Sequence, residues 1–366
     1  MKAGSSEWGN LMEEKGKALI DQLYETHQLK EEEYAELLDG YSREAAEYAA
    51  KLAVQQRRKY YGTEVYIRGL IEISNYCRND CFYCGIRRSN HSCTRYRLTQ
   101  EEILECCREG YELGFRTFVL QGGEDVFFTD DRLCSIVSQI HQQFPDCAIT
   151  LSMGERSRES YQALFEAGAD RYLLRHETAD CEHYKKLHPS FMSFQNRMEC
   201  LSSLKEIGYQ VGCGFMVGSP FQSIALLAKD LKLIERFHPE MCGIGPFIPH
   251  HATPFADCPA GSVEMTLYLL SLIRLIVPDV LLPATTALGT MDPYGREKGI
   301  LSGANVVMPN LSPAVRRKDY ELYDNKLCTG AESAQALELL KKQMSSIGYE
   351  AVVSRGDWSG RARNRG

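Results

Sequence analysis

Ile73-Ser-Asn-Tyr-Cys77-Arg-Asn-Asp-Cys81-Phe-Tyr-Cys84-Gly-Ile-Arg-Arg88 follows directly on an apolar, β-branched stretch, 67–73. A β-rich run ending in a loop of reactive side chains is the unit of a βα architecture, in which chemistry gathers at strand ends. The cysteine spacing is C-x3-C-x2-C. Thiolates are soft ligands that suit iron–sulfur clusters. Three so close together can hold three corners of a four-iron cubane and leave the fourth iron open to a cofactor or substrate. Zinc is the competing reading. Closed zinc sites take four ligands; no His or Cys at finger spacing completes this one, although His91 and Cys93 lie close by.

From residue 65 onward, seven more β-rich runs follow at 117–123, 148–154, 171–177, 210–218, 241–249, 281–289 and 304–310, the first being 65–74. Amphipathic segments such as 100–113, 132–143, 158–167, 194–207 and 225–236 lie between them, with Gly114, Gly168 and Gly208 where helix C-caps belong. Eight repeats in this length predict an α/β chain forming a closed (βα)8 TIM-type barrel over 63–330. A six-repeat partial barrel with an appended lobe is the runner-up. Residues 1–62 read as an N-terminal helical extension, with Leu11, Leu19, Ile20, Leu23 and Tyr24 on one stripe. Residues 331–366 read as a C-terminal helix, 333–347, and a flexible tail.

The 366 residues are 44% hydrophobic and 25% charged, the balance of a globular chain. A net charge of −7 without a basic footprint argues against nucleic acid as a partner. The leucine-rich stretch 266–283 contains Arg274, Pro278 and Asp279, which excludes a comfortable membrane span. Fourteen cysteines scattered through apolar segments, with no secretory signal, predict reduced thiols and a cytoplasmic location.

Polar or glycine-rich groups end nearly every run. The second ends in Gln121-Gly122-Gly123-Glu124-Asp125, where paired glycines let backbone approach a ligand. The third and fourth end in Glu155-Arg156 and Arg175-His176-Glu177. Charges near an interior are costly unless paired or bound. They form either an internal ion-pair network or a site for a zwitterion, a guanidinium meeting its carboxylate and carboxylates its ribose hydroxyls. Met216, His250, Thr285-Thr286 and Met308 end later runs, and Tyr320 and Tyr323 follow. The two methionines fit core packing as well as substrate contact, and the tyrosine pair fits a short packed helix.

The cysteine stretch, with Tyr83 before its last cysteine and Gly-Gly-Glu after the next strand, resembles the radical S-adenosylmethionine (radical SAM) superfamily. Tyr172-Leu-Leu-Arg-His-Glu-Thr-Ala179, Gly243-Ile-Gly-Pro-Phe-Ile-Pro-His250, Pro283-Ala-Thr-Thr-Ala287 and Val307-Met-Pro-Asn310 narrow the resemblance to the FeFe-hydrogenase maturase HydE family. It covers the chain from about residue 10 to the end. The resemblance implies one 4Fe–4S cluster on Cys77, Cys81 and Cys84. It implies SAM held by Tyr83, Gln121, Gly122, Gly123, Glu155, Arg175 and Glu177, and a deeper cavity walled by Met216, Thr285, Thr286, Met308, Tyr320 and Tyr323. Some family members carry a second cluster on three C-terminal cysteines. Here Cys328 matches the first, but Ala336 and Leu339 stand at the others, so no second cluster is expected.

The implied activity is reductive cleavage of SAM to a 5′-deoxyadenosyl radical. That radical would act on a small, cysteine-bound Fe–CO–CN precursor during assembly of the hydrogenase H-cluster di-iron subsite. Implied partners are this organometallic substrate, the other maturases (the HydF scaffold and the product of HydG) and a low-potential electron donor. Sister enzymes such as methylornithine synthase and biotin synthase share the barrel and early motifs. A non-catalytic iron–sulfur scaffold is the reading from another class, and the charges at Glu155, Arg175 and Glu177 argue against it.

Overall fold

The computed structural model describes residues 4–328 and 334–360. Helices Gly4–Thr26, Glu31–Asp39 and Arg43–Tyr61 precede the sheet. The third starts at Ser42, whose side chain accepts the Ala45 N–H, and buries a small-residue face of Ala45, Ala49 and Ala53. That face lets it lie close to helix Val263–Ile276, while Tyr34 O–H donates to Glu235 (2.8 Å) on helix Ile224–Phe237. The extension is therefore part of the folded body.

Strands β1 (Glu64–Ile67) and β2 (Gly69–Ser74) come next, then β3 (Thr117–Gly122), β4 (Ala148–Ser152), β5 (Arg171–Leu173) and β6 (Gln210–Cys213). They are followed by β7 (Met216–Val217), β8 (Met241–Cys242), β9 (Gly245–Pro246), β10 (Val306–Val307) and β11 (Glu350–Val352). The order β2-β3-β4-β5-β6-β8 is one continuous, parallel six-stranded sheet. The predicted eight-stranded ring is drawn less completely: Met241↔Leu281, Pro283↔Val306 and Leu70↔Asn310 are isolated parallel bridges, not ladders. Side chains alternate along each strand. Ile71, Ile73, Phe118, Leu120, Ile149, Leu151, Tyr172 and Val211 join the apolar layer under the helices. Glu72, Ser74, Val119, Gln121, Thr150 and Gly212 occupy the opposite face, a small and polar lining for the lumen.

Each crossover helix begins where a side chain satisfies an orphan amide. Thr99, Thr129, Ser157, Ser193, Ser223 and Ser262 all accept from the amide three residues on. Gly114, Gly168 and Gly208 adopt φ of +97°, +115° and +105°, the left-handed closure expected of them.

Four expectations are corrected. The run 65–74 divides at Arg68, because β1 pairs with β10 and β11 while β2 joins the six-stranded sheet. Runs 210–218 and 241–249 divide likewise, the first at Gly214 (φ +147°), whose Cβ would meet the Gly243 carbonyl. Run 281–289 turns into helix Thr286–Met291. The tail is not a free end over its described part: β11 pairs with β1, and Arg355 and Asp357 bond Asp170 (2.8 Å) and Arg171 (2.6 Å) beneath the sheet. Of the expected helix 333–347, a 3-10 turn, Ala334–Ala336, and helix Leu337–Ser346 are described; 331–333 and 361–366 lie outside the described residues.

Candidate active site

β2 delivers the chain to its cysteines through Ser74, which donates to Asp125 (2.7 Å) and accepts the Tyr76 N–H. The loop then folds around Arg95, whose guanidinium donates to the carbonyls of Asn75, Ile86 (2.8 Å), Arg87 (2.6 Å) and Asn90 (3.0 Å). Asp80 closes it by accepting from Arg87 and Ser89. Gly123 has a use the paired-glycine argument missed. A Cβ there would fall 2.3 Å from the Tyr76 carbonyl oxygen and 2.8 Å from Cys77 Cβ. The glycine admits the cysteine loop itself.

Burial pushes all three thiols up. Cys84 reaches about 12, with Cys77 adding to the effect, and Cys81 is raised by burial and then by Cys84 and Cys77. A bound cation reverses this penalty and releases the protons. The three sulfurs do not converge within 4.8 Å of one another. One tetrahedral zinc with bonds of ~2.3 Å would need sulfurs roughly 3.8 Å apart. A soft, half-buried, three-thiol set spread more widely than a single ion requires fits a polynuclear cluster. The group that does converge among the described residues is His250, His251 and Asp324. There the Ala252 N–H donates to His250 Nδ1, so the neutral ring keeps its proton on Nε2 and cannot ligate through it.

Tyr83 is fixed by His188. Burial, aided by Arg197, lowers that imidazole to about 3. Its Nδ1 lies 3.0 Å from the Tyr184 carbonyl and Nε2 3.1 Å from Tyr83 Oη, so the neutral ring accepts the phenol proton.

The charged strand ends divide into two groups. Glu155 is engaged: Arg197 and Asn196, in the first turn after the Ser193 cap, donate to its two oxygens at 2.6 Å each. Arg197 also donates to the Arg175 carbonyl at 2.5 Å. Glu155 is thus paired within the chain. Arg175 and Glu177 differ. Arg175 Nε and Nη2 and Glu177 Oε2 are buried without a hydrogen-bond partner, and the two side chains stand 3.4 Å apart. Glu177 holds φ at +65°, a strained conformation for a side-chain-bearing residue. The two side chains face each other as an ion pair without a hydrogen bond, so hydrogen-bonding capacity remains on both.

Gln121 donates to Tyr320 Oη (3.4 Å), joining strand β3 to the late tyrosines. Tyr320 is buried and Tyr323 half-buried. Thr285 caps helix Thr286–Met291 by backbone alone, and its Oγ1 is buried and unpaired. Thr286 begins that helix, and its carbonyl accepts from Thr290. Met216 packs with Leu187, Phe247, Phe255, Phe82 and Tyr83 under the cysteine loop. Met308 packs against Tyr61, Tyr66, Met241, Leu281 and Val306, apart from Met216. Gly122 would bring a Cβ within 3.2 Å of Met153.

Sequence reasoning missed Arg197, Asn196, Lys326 and the part played by Glu124. Lys326 pairs with Glu72, fully buried on β2, which also accepts from Asn310 (2.9 Å). Glu124 accepts the Glu155 N–H and an Arg78 N–H at 2.9 Å each. An isolated Glu inside an apolar strand, as at Glu72, is the signal that asks for a buried cation. A polar cleft of about 570 Å³, lined by Arg78, Glu124, Glu155, Arg156 and Asn196 among others, opens on this side.

The profile of the radical SAM superfamily matches residues 71–234. The chain is 44% identical over 348 residues to the FeFe-hydrogenase maturase subunit HydE of Thermotoga maritima, covering 95% of this chain and 98% of that protein. It is 29% identical over 332 residues to 3-methylornithine synthase of Methanosarcina acetivorans, 90% and 92% covered. Among solved structures, methylornithine synthase (PylB) superposes with a TM-score of 0.80 at 28% identity, 91% and 97% covered. No helix among the described residues is long and apolar enough to cross a membrane.

Proposed function

Because the chain belongs to the HydE family of FeFe-hydrogenase maturases within the radical SAM superfamily, we propose that its barrel mouth binds one 4Fe–4S cluster and SAM to act on a small, cysteine-bound Fe–CO–CN precursor of the H-cluster. It is a radical SAM enzyme, and the superfamily implies the cluster and SAM. One observation supports the residue assignment: Arg175 and Glu177 face each other at 3.4 Å with hydrogen-bonding atoms left unsatisfied, and the Glu177 charge reaches Tyr83, whose phenol is raised first by burial and then by Glu177 and Cys81. Cys77, Cys81 and Cys84 hold the cluster. When bound, the cluster and SAM supply a one-electron reductive cleavage of the sulfonium.

The chain's own residues bind and orient. Arg175 takes the SAM carboxylate and Glu177 the ribose hydroxyls, because each offers buried atoms that a ligand would satisfy. Gly122 and Gly123 place backbone and Glu124 beside the methionine end. Glu155, locked by Arg197 and Asn196, acts by fixing the Arg175 carbonyl and the neighbouring strand end. Thr285 turns its unpaired hydroxyl to the substrate, with Thr286, Met216, Gln121, Tyr320, Tyr323 and Met308 completing the wall. The buried apolar layers exclude water from these groups. HydF and HydG are the proposed companion maturases, and one cluster is proposed.

The likeness to methylornithine synthase supports the alternative of an amino-acid substrate, which needs charged groups in the lumen. Glu72 is already taken by Lys326 and Asn310, which favours the maturase reading. The test is EPR of the reduced, reconstituted protein with and without SAM, followed by assay of 5′-deoxyadenosine. A SAM-dependent spectral change, with product lost in Cys81→Ala, is expected. A cluster blind to SAM would overturn the proposal.

A further inference from the structure

The barrel mouth carries an exposed patch that the cluster and SAM sites do not use. Three segments meet there: the cysteine loop, helix Cys181–Leu187 with the turn after it, and turn 219–222. Phe82 N–H donates to the Leu187 carbonyl at 3.0 Å, and His183 Nε2 lies 2.9 Å from the Pro220 carbonyl, so the segments are tied together. Phe191 is 58% exposed and Phe221 60%. Large exposed aromatic rings on segments tied together at one rim mark an interaction surface more often than scattered single residues do. Phe221 is moreover held at φ +67°, a strained conformation for a residue with a side chain.

Each ring lies beneath a cation: Arg88 at 5.5 Å over Phe191, and Lys186 at 5.4 Å over Phe221. Neighbouring Lys185 is neutralised by Glu182 and Arg87 by Asp80, but Arg88 and Lys186 meet no carboxylate among the described residues. Two uncompensated cations on an apolar centre stand out on a chain of net charge −7. Inward, the patch leads to the cysteines by two short routes. Phe221 packs edge-on against Phe255 and Phe255 against Phe82, at 6.1 Å each, and Phe82 follows Cys81. Met192, next to Phe191, brings its sulfur to 3.7 Å from Cys81 Sγ.

We propose that this patch docks an acidic one-electron carrier protein that reduces the cluster. The inference rests on the radical SAM reading, which requires one external electron per SAM cleaved. In the step itself the reduced carrier loses one electron and the cluster gains it; no atom is transferred. Charge complementarity selects an acidic partner, and the small area selects a transient one, as electron-transfer encounters generally are.

The test uses the reconstituted holoenzyme and an acidic 2Fe–2S ferredoxin as probe. Calorimetric affinity for the oxidised ferredoxin is measured for the parent, for Arg88→Glu with Lys186→Glu, and for Phe191→Ser with Phe221→Ser. Charge reversal is expected to weaken binding about tenfold, and raising ionic strength from about 0.05 to 0.3 M to weaken the parent markedly but not the charge-reversed variant. 5′-Deoxyadenosine formation driven by subsaturating reduced ferredoxin should fall in parallel, while the dithionite-driven rate stays level. Unchanged ferredoxin affinity in both variants overturns the docking proposal, as does an equal loss of the dithionite-driven rate. If the parent gives no product even with dithionite, the radical SAM reading fails instead.

Discussion

Gly154→Ala should damage this protein in a way that separates backbone strain from site disruption. Gly154 holds φ at +73° and Gly348 at +80°, so alanine at either position meets the same left-handed penalty, roughly 1–2 kcal/mol. A Cβ at 348 meets nothing within 4 Å. At 154 it falls 2.0 Å from Glu124 Cγ and 2.3 Å from Oε1. Glu124 must move, and its carboxylate then loses the Glu155 N–H and Arg78. Arg78 is 56% exposed and contributes little. Stranding the half-buried amide adds about 1–3 kcal/mol, so the total is about 2–5 kcal/mol at Gly154 against about 1–2 at Gly348. Urea unfolding of the cluster-free chains measures that difference. On the proposal that Glu124 lies at the methionine end of SAM, Gly154→Ala should also weaken SAM binding by about 5- to 150-fold, read by EPR titration of the reconstituted protein, with Gly348→Ala unaffected. Equal destabilisation of the two variants, or full SAM affinity in Gly154→Ala, would refute the reasoning.

Further outcomes follow from other contacts. Lys326→Met strands the carboxylate of Glu72 and should cost about 3–5 kcal/mol in denaturant unfolding, with much of it restored in the Glu72→Gln/Lys326→Met double variant; no restoration would disprove the pairing. Thr285→Val removes an unpaired buried hydroxyl, so stability should rise slightly, by about 0.5–1.5 kcal/mol, while turnover of the maturation substrate falls; retained turnover would remove Thr285 from the substrate wall. Burial raises the Asp357 carboxyl, but Arg171 and Arg355 outweigh it and hold the group below the carboxylate range. Its contribution is therefore complete above the unfolded value of about 3.9 and is lost as pH falls through the folded one. Asp357→Asn should be less stable than the parent at pH 6 and approach it below pH ~4, a convergence that unfolding midpoints would show or deny.

The elements legible in the chain are those whose causes lie within a few residues. Cysteine spacing, the Ser and Thr caps and the glycines at 114, 168 and 208 act over one turn or one loop, and the three glycines close helices where they were expected to. The barrel class follows from the same local alternation of period two and period 3.6. Boundaries blurred where a strand changes neighbour, as at Arg68 and Gly214, because pairing is a property of two segments and composition describes one.

Site chemistry divides along the same line. Which residues are nucleophilic, soft or charged was readable directly, so Cys77, Cys81, Cys84, Arg175 and Glu177 could be named before any coordinate. Which charges are spent on one another was not. Arg197 reaches Glu155 across 42 positions, Arg171 reaches Asp357 across 186, and Lys326 reaches Glu72 across 254. Local chemistry sets what each group can do, but only the closing of the chain removes water and brings partners within about 3 Å, where charge and hydrogen bonding act strongly. Only then does it emerge that Glu155 is held by Arg197 and Asn196, while Arg175 and Glu177 face each other at 3.4 Å without a hydrogen bond.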